Sequence, residues 1–175
     1  MSNKMNWVNR EFDFSFPVII YAELIERLKC TPSRLEALLK NISRQILTLR
    51  DKQSWSIQEN AGHLITVESL FMGRLDDYVK GVSTLRPADV TGKKTDEEKY
   101  NDQDIRTILA KFRNLRQSYI QSLEKLEPED FAKSALHPRL NKPMRLCDML
   151  YFQVEHDEHH LAKIKGLINI FVSAN

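Results

Sequence analysis

Apolar residues recur at intervals of three and four along most of this chain, which is the spacing of helices with one buried face. A first helical piece is predicted from about Pro17 to Leu28. Thr31 and Pro32 then read as a fresh start, since Thr suits an N-cap and Pro the first helical turn. Leu35, Leu38, Leu39, Ile42 and Ile46 follow on one face. Ser56-Ile57-Gln58-Glu59 is a capping box, in which Ser56 and Glu59 satisfy each other's backbone donors. It opens a long helix with the stripe Leu64, Val67, Phe71, Leu75 and Tyr78, ended by Gly81. Another helix is expected from about Asp102 to Leu126, with Ile105, Ile108, Phe112, Leu115, Tyr119 and Leu123 inward. The last begins at Arg145 or Leu146 and runs to about Ile170, with Asp148 in its first turn, where the helix dipole favours a negative charge.

Between these segments lie two irregular stretches. Residues 82–100 hold Pro87, Gly92 and a polar run; residues 127–144 hold Pro128, Pro138 and Pro143. Loops of such length inside a domain are usually functional or disordered. No stretch shows persuasive period-two alternation and no repeat is visible. The expectation is an all-α four-helix bundle with a short extra N-terminal helix and long loops. It forms a single domain over 1–175, with its core at about 17–170 and an N-terminal extension at 1–16.

At 175 residues and 42% hydrophobic content, one ordinary core is affordable. Twenty-six basic residues against 24 acidic give a net charge of only +2, without long blocks of one sign. A nucleic-acid groove or an anionic membrane surface needs clustered Lys and Arg, so neither partner is expected. Polar residues interrupt the N-terminus, and no apolar run approaches the length of a membrane span. A cytoplasmic protein is the expectation. Cys30 and Cys147 form no CxxC pair and read as buried small apolar residues.

The chemistry concentrates in Glu155-His156-Asp157-Glu158-His159-His160. His156 and His160 stand four apart, so on a helix they lie about 6 Å apart along the axis and on nearly one face. Leu146, Leu150, Leu161, Ile164 and Ile168 define the core face of that helix. His160 falls at its inner margin, His156 slightly outside, and His159 points away, which leaves it facing solvent or standing behind the ligands rather than binding the ion. Asp157 falls near the centre of the apolar stripe, where a carboxylate needs a partner such as a backbone group or an Arg from another helix. A third imidazole should come from elsewhere, and His63 at the margin of the second long helix supplies it. Alone, His63 would read as an ordinary core histidine; the facing H-x3-H pair shifts that balance. His137, before a proline, reads as surface. Three imidazoles and no thiolate suit one divalent Zn, Ni or Fe ion, with a coordination position left open as in catalytic rather than structural sites. Glu59, Arg74 and Lys163 are candidate assistants. Arg74 lies about 16 Å along the axis from His63, so it is better placed to hold substrate than to touch an ion.

The stretch Trp55-Ser56-Ile57-Gln58-Glu59-Asn60-Ala61-Gly62-His63-Leu64 resembles the W-S-x-x-E-x-x-x-H-L helix start of the DinB-like (YfiT-type) metalloenzyme superfamily. Residues 146–164 resemble that family's last helix with its H-x3-H, and Leu28 to Leu39 resembles its L-x-x-T-P-x-x-L-x-x-L-L opening. His137-Pro138-Arg139 is a further echo. Arg145 stands where a Thr or Ser cap is expected. The resemblance spans about 17–170. It implies an up-down-down-up bundle, often a homodimer, with His63, His156 and His160 holding the metal. It also implies hydrolysis of a small-molecule substrate by activated water, or S-transfer with a low-molecular-weight thiol. A non-catalytic dimeric metal-binding bundle is the alternative.

Overall fold

The computed structural model describes Trp7 and residues 10–172. Much of the expected N-terminal extension (1–6 and 8–9) lies outside the described residues. Four long helices dominate: α1 (Tyr21–Leu39), α3 (Ile57–Lys80), α5 (Ile105–Leu123) and α6 (Leu146–Val172). Two single-turn helices, α2 (Arg44–Thr48) and α4 (Lys93–Glu97), sit in the connections. Among the described residues, no helix is long and apolar enough to cross a membrane.

Side-chain pairs fix the direction of each helix. Lys29 meets Glu124 and Glu36 meets Arg113, so α1 and α5 run antiparallel. Arg27 pairs with Glu155 and Arg34 with Glu158, so α1 and α6 run parallel. Tyr78 donates to the Met144 carbonyl at the start of α6 (2.9 Å), whereas His63 faces His156 further along. These make α3 and α6 antiparallel. The bundle is therefore up-down-down-up: α1 and α6 point one way, α3 and α5 the other. Both α1 and α3 pack on α5 and on α6, so the first two long helices sit on a diagonal.

The capping box forms as expected: Glu59 N–H donates to Ser56 Oγ (3.1 Å) and Ser56 N–H to Glu59 Oε2 (2.8 Å). Gly81 ends α3 at φ 68°. At the same end of the bundle as Gly81, Asp148 accepts from the Arg145 N–H (2.8 Å) and from the Arg145 guanidinium, so that pair stands in for the Thr or Ser cap.

Four expectations are corrected. The chain does not restart at Thr31; α1 is continuous, with Pro32 inside it. Proline removes the N–H that would bond the Leu28 carbonyl, and Arg116 Nη1 supplies that donor instead at 2.9 Å. Helix α1 stops at Leu39, so Ile42 falls in the link that follows and Ile46 in the separate α2 segment, which Ser43 caps. The 127–144 link is not wholly irregular: β1 (Ser134–His137) pairs antiparallel with β2 (Lys142–Arg145). Four-residue strands are too short for alternation to register. Cys147 is buried, but Cys30 is exposed on the outer face of α1.

The core divides into two apolar clusters. One gathers Leu28, Phe71, Tyr119 and Val154; the other gathers Leu35, Leu64, Phe112, Leu161 and Ile164. Between them lies a charged layer. Arg116 bonds Glu68 through Nε (2.7 Å) and Nη2 (2.8 Å), and Asp157 through Nη1 (2.8 Å). Gln153 adds a bond to Glu68 at 3.1 Å. Asp157 thus has the inter-helix arginine its position demands. Burial opposes the Arg116 charge, but Asp157 and Glu68 outweigh it and hold the guanidinium above its ordinary pKa. Burial pushes Glu68 up, with Arg116 pulling the other way.

Candidate metal centre

The first turns of α3 carry His63 and the middle of α6 carries His156 and His160. Because these helices run antiparallel in contact, the three rings converge, and one nitrogen from each lies within 4.8 Å of the others. His63 Nε2 stands 3.3 Å from His156 Nε2. In a tetrahedral site with bonds near 2.0–2.1 Å, ligand nitrogens are also about 3.3 Å apart.

Each ring has a distinct setting. His160 Nδ1 lies 2.9 Å from Asn60 Oδ1. The Asn60 amide nitrogen donates to the carbonyls of Trp55 (3.1 Å) and Ser56 (2.8 Å), so its oxygen is the atom facing the ring. His160 therefore carries its proton on Nδ1 and turns the Nε2 lone pair toward the cluster. His63 Nδ1 is 2.8 Å from Thr95 Oγ1, which comes from α4 in the long connection. His156 Nδ1 is buried without a hydrogen-bond partner.

All three rings are neutral at pH 7. Burial lowers His63 to about 4, with Lys163 adding to the effect. Burial, then the neighbouring rings, hold His156 and His160 well below the usual imidazole range. Neutral imidazoles crowded with lone pairs inward repel protons but suit a divalent cation. The donor set and its spacing fit one such ion.

The connection 82–100 closes over this group. Trp55 lies 4.7 Å from the His63 ring and donates to Asp96 Oδ1 at 2.9 Å. Gly92 has φ 79°, and a Cβ there would come within 2.8 Å of the Trp55 ring, so both the turn and the contact require glycine. Asp89 accepts from the backbone of Thr91 and Lys94 and is held near 2 by those bonds. The expected loop is thus partly a folded flap that delivers Thr95.

A cavity of about 220 Å³ opens beside the cluster, lined by His63, His156, His160, Arg74 and Lys163 among others. Arg74 and Lys163, the candidate assistants, both line this cavity. Glu59 is not brought to it; its carboxylate is bound by Ser56 N–H and by Arg50 Nε at 2.8 Å. His137 corrects its expectation: it is buried, with Nε2 3.1 Å from Arg74 Nη1. Burial, then Arg74 and Arg139, lower it to about 4. His159 is half-buried, edge-on to His160, and shares the cavity wall with Trp7.

The sequence reading did not find Asn60, Thr95 or the aromatic walls Trp7, Phe71 and Phe152. Asn60 left a trace, three residues before His63 on the same helix face. Thr95 left none, because only the folded flap brings it near.

A sequence profile of the DinB superfamily matches residues 27–164. The chain belongs to the DinB superfamily. No curated protein matches this DinB chain. Among solved structures, YfiT from Bacillus subtilis, described as a probable metal-dependent hydrolase with an unusual four-helix bundle topology, superposes with a TM-score of 0.80 at 21% identity, covering 93% of each chain. A protein from Streptococcus pneumoniae superposes with a TM-score of 0.66 at 15% identity, over 90% of this chain and 91% of its own. At such identities the likeness is one of fold, and this DinB bundle shares it along nearly its whole length.

Proposed function

We propose that this DinB-superfamily protein is a metal-dependent hydrolase acting on a small molecule, with His63, His156 and His160 as the ligands of one divalent ion. The observation that carries the reading is the convergence of three neutral, buried imidazoles at the wall of a cavity. The description of YfiT as a probable metal-dependent hydrolase supports it. Such an ion supplies Lewis acidity, polarising an acyl carbonyl and making water a usable nucleophile near neutral pH. The protein's own groups do the rest. Asn60 and Thr95 hold two rings in orientation, and a hydrogen-bonded outer layer of this kind sharpens ligand geometry. Trp7, Trp55 and Phe71 wall the cavity with apolar surface. Hydrolysis puts the hydroxyl of water on the acyl carbon and its proton on the leaving group.

Zinc, nickel and iron all suit three imidazoles, so elemental analysis of untagged protein names the metal. One equivalent per chain is expected, lost in a His63→Gln variant that stays folded. Ester or amide turnover should disappear with chelator, return with metal and need no thiol. Turnover only in the presence of a low-molecular-weight thiol would replace hydrolysis by S-transfer. A protein that binds no divalent ion would remove both. The reading goes with a homodimer in a cytoplasmic setting, and sedimentation velocity tests the dimer.

A further inference from the structure

Two arginines in this bundle are almost completely buried, and their surroundings differ. Arg116 is 2% exposed and sits between two carboxylates. Arg74 is 1% exposed and has no carboxylate partner among the described residues. Its Nε and Nη2 both donate to one carbonyl, that of Arg86 (3.2 and 3.1 Å). Its Nη1 faces His137 Nε2 at 3.1 Å and the Met149 sulfur at 3.8 Å. His137 cannot fully serve it. The other ring nitrogen, Nδ1, already faces the Leu140 N–H at 3.2 Å, and a neutral imidazole accepts through only one nitrogen.

A buried guanidinium without a counter-ion is costly, and burial lowers Arg74 to about 10. Asp77, about one turn further along the same helix, is engaged by Arg86 through both oxygens. Arg74 nevertheless lines the cavity that runs to the three histidines. Arg139 lines the same end, its guanidinium 5.8 Å over the Phe152 ring. The single carboxylate on the cavity wall among the described residues, Asp89, is taken up by hydrogen bonds within its own flap.

We propose that the missing counter-ion is the substrate: the cavity takes a small molecule with an oxyanion group, carboxylate or phosphate, bound by Arg74. Its apolar body lies against Phe71 and Phe152, and its reacting group lies at the histidine cluster. This deepens, and rests on, the hydrolase reading. Arg74 lies eleven positions after His63, about 16 Å of helix rise, and a helical side chain leans back toward the N-terminus. The guanidinium therefore stands on the order of 10 Å from the cluster, which sets the length of the molecule. The planar guanidinium matches both oxyanions through paired hydrogen bonds.

The test is binding to full-length protein kept in chelator, followed by tryptophan fluorescence, since Trp7 and Trp55 line the cavity. The probes are phenylpropanoate, phenylpropyl phosphate and the uncharged phenylpropanamide. At least one charged probe should bind about tenfold tighter than the amide, the range of a charge-assisted hydrogen bond. The tighter of the two names the oxyanion. Arg74→Met should abolish that preference and leave amide binding unchanged. Should Arg74→Met fail to fold by circular dichroism, Arg74→Lys replaces it and should weaken only the charged probe. Equal affinities for all three probes in the wild type, no saturable binding of the charged probes, or a preference that survives the substitution would overturn the proposal. The metal is absent from this assay. Anion preference without metal-dependent turnover would leave Arg74 as an oxyanion site and discard the hydrolase reading. Turnover of neutral esters without anion preference would do the reverse.

Discussion

Arg116 shows how one residue can decide whether four helices close on each other. It reaches α3 through Glu68, α6 through Asp157 and α1 through the Leu28 carbonyl that Pro32 leaves without its helical donor. Removing only the cation strands two buried carboxylates. Arg116→Met is therefore expected to cost about 3–5 kcal/mol of stability in urea unfolding. Neutralising the whole layer, with Arg116→Met, Glu68→Gln and Asp157→Asn together, should recover most of that loss, because no charge then stays buried alone. A single substitution costing under about 1 kcal/mol, the scale of an exposed pair, would show that the layer is not a working unit.

At the scale of elements, the site depends on a segment that is barely secondary structure. Helix α4 is one turn long, yet it carries Thr95 to His63 Nδ1 and is locked by Trp55, Gly92 and Asp89. Thr95→Val keeps the shape of the side chain and removes the oxygen. Metal affinity, read by competition with a chromophoric chelator, should fall about 10- to 100-fold, as when outer-layer partners of metal ligands are lost. Thermal unfolding of the metal-free protein should shift little by comparison. Unchanged affinity would mean that the flap covers His63 without orienting it.

At the scale of the whole molecule, folding holds four histidines neutral. His63 and His137 sit at about 4, and His156 and His160 lie well below the usual imidazole value. Their unfolded values lie near 6.5, so on acidification the unfolded chain takes up protons first. The stability they contribute is complete above about pH 6.5 and is lost as pH falls from there toward 4. Each contributes a slope of about 1.4 kcal/mol per pH unit in that window. Acidic groups held low by hydrogen bonds, such as Asp77 beside Arg86, add a loss of the same sign at lower pH. Urea unfolding of chelator-treated protein across a pH series measures this, and stability that rises on acidification through the window would contradict it.

The amino-acid sequence by itself determined the four long helices, the capping box at Ser56, the stop at Gly81 and the histidines that face inward. These depend on residues within a few positions of one another, and helical periodicity makes them legible. It also marked Asp157 as needing a partner, but the stripes it read passed through Val67 and Leu115, whereas the structure buries their neighbours Glu68 and Arg116 instead. Tertiary structure alone decided that α1 would run through Pro32, because the replacement donor sits on α5. Only it could bury His137, a loop residue before a proline, against Arg74 from α3. Only it could deliver Thr95 to His63, or leave one buried arginine paired and the other without a carboxylate. Each of these turns on groups far apart in the chain meeting across the bundle, and local spacing carries no information about where such groups meet.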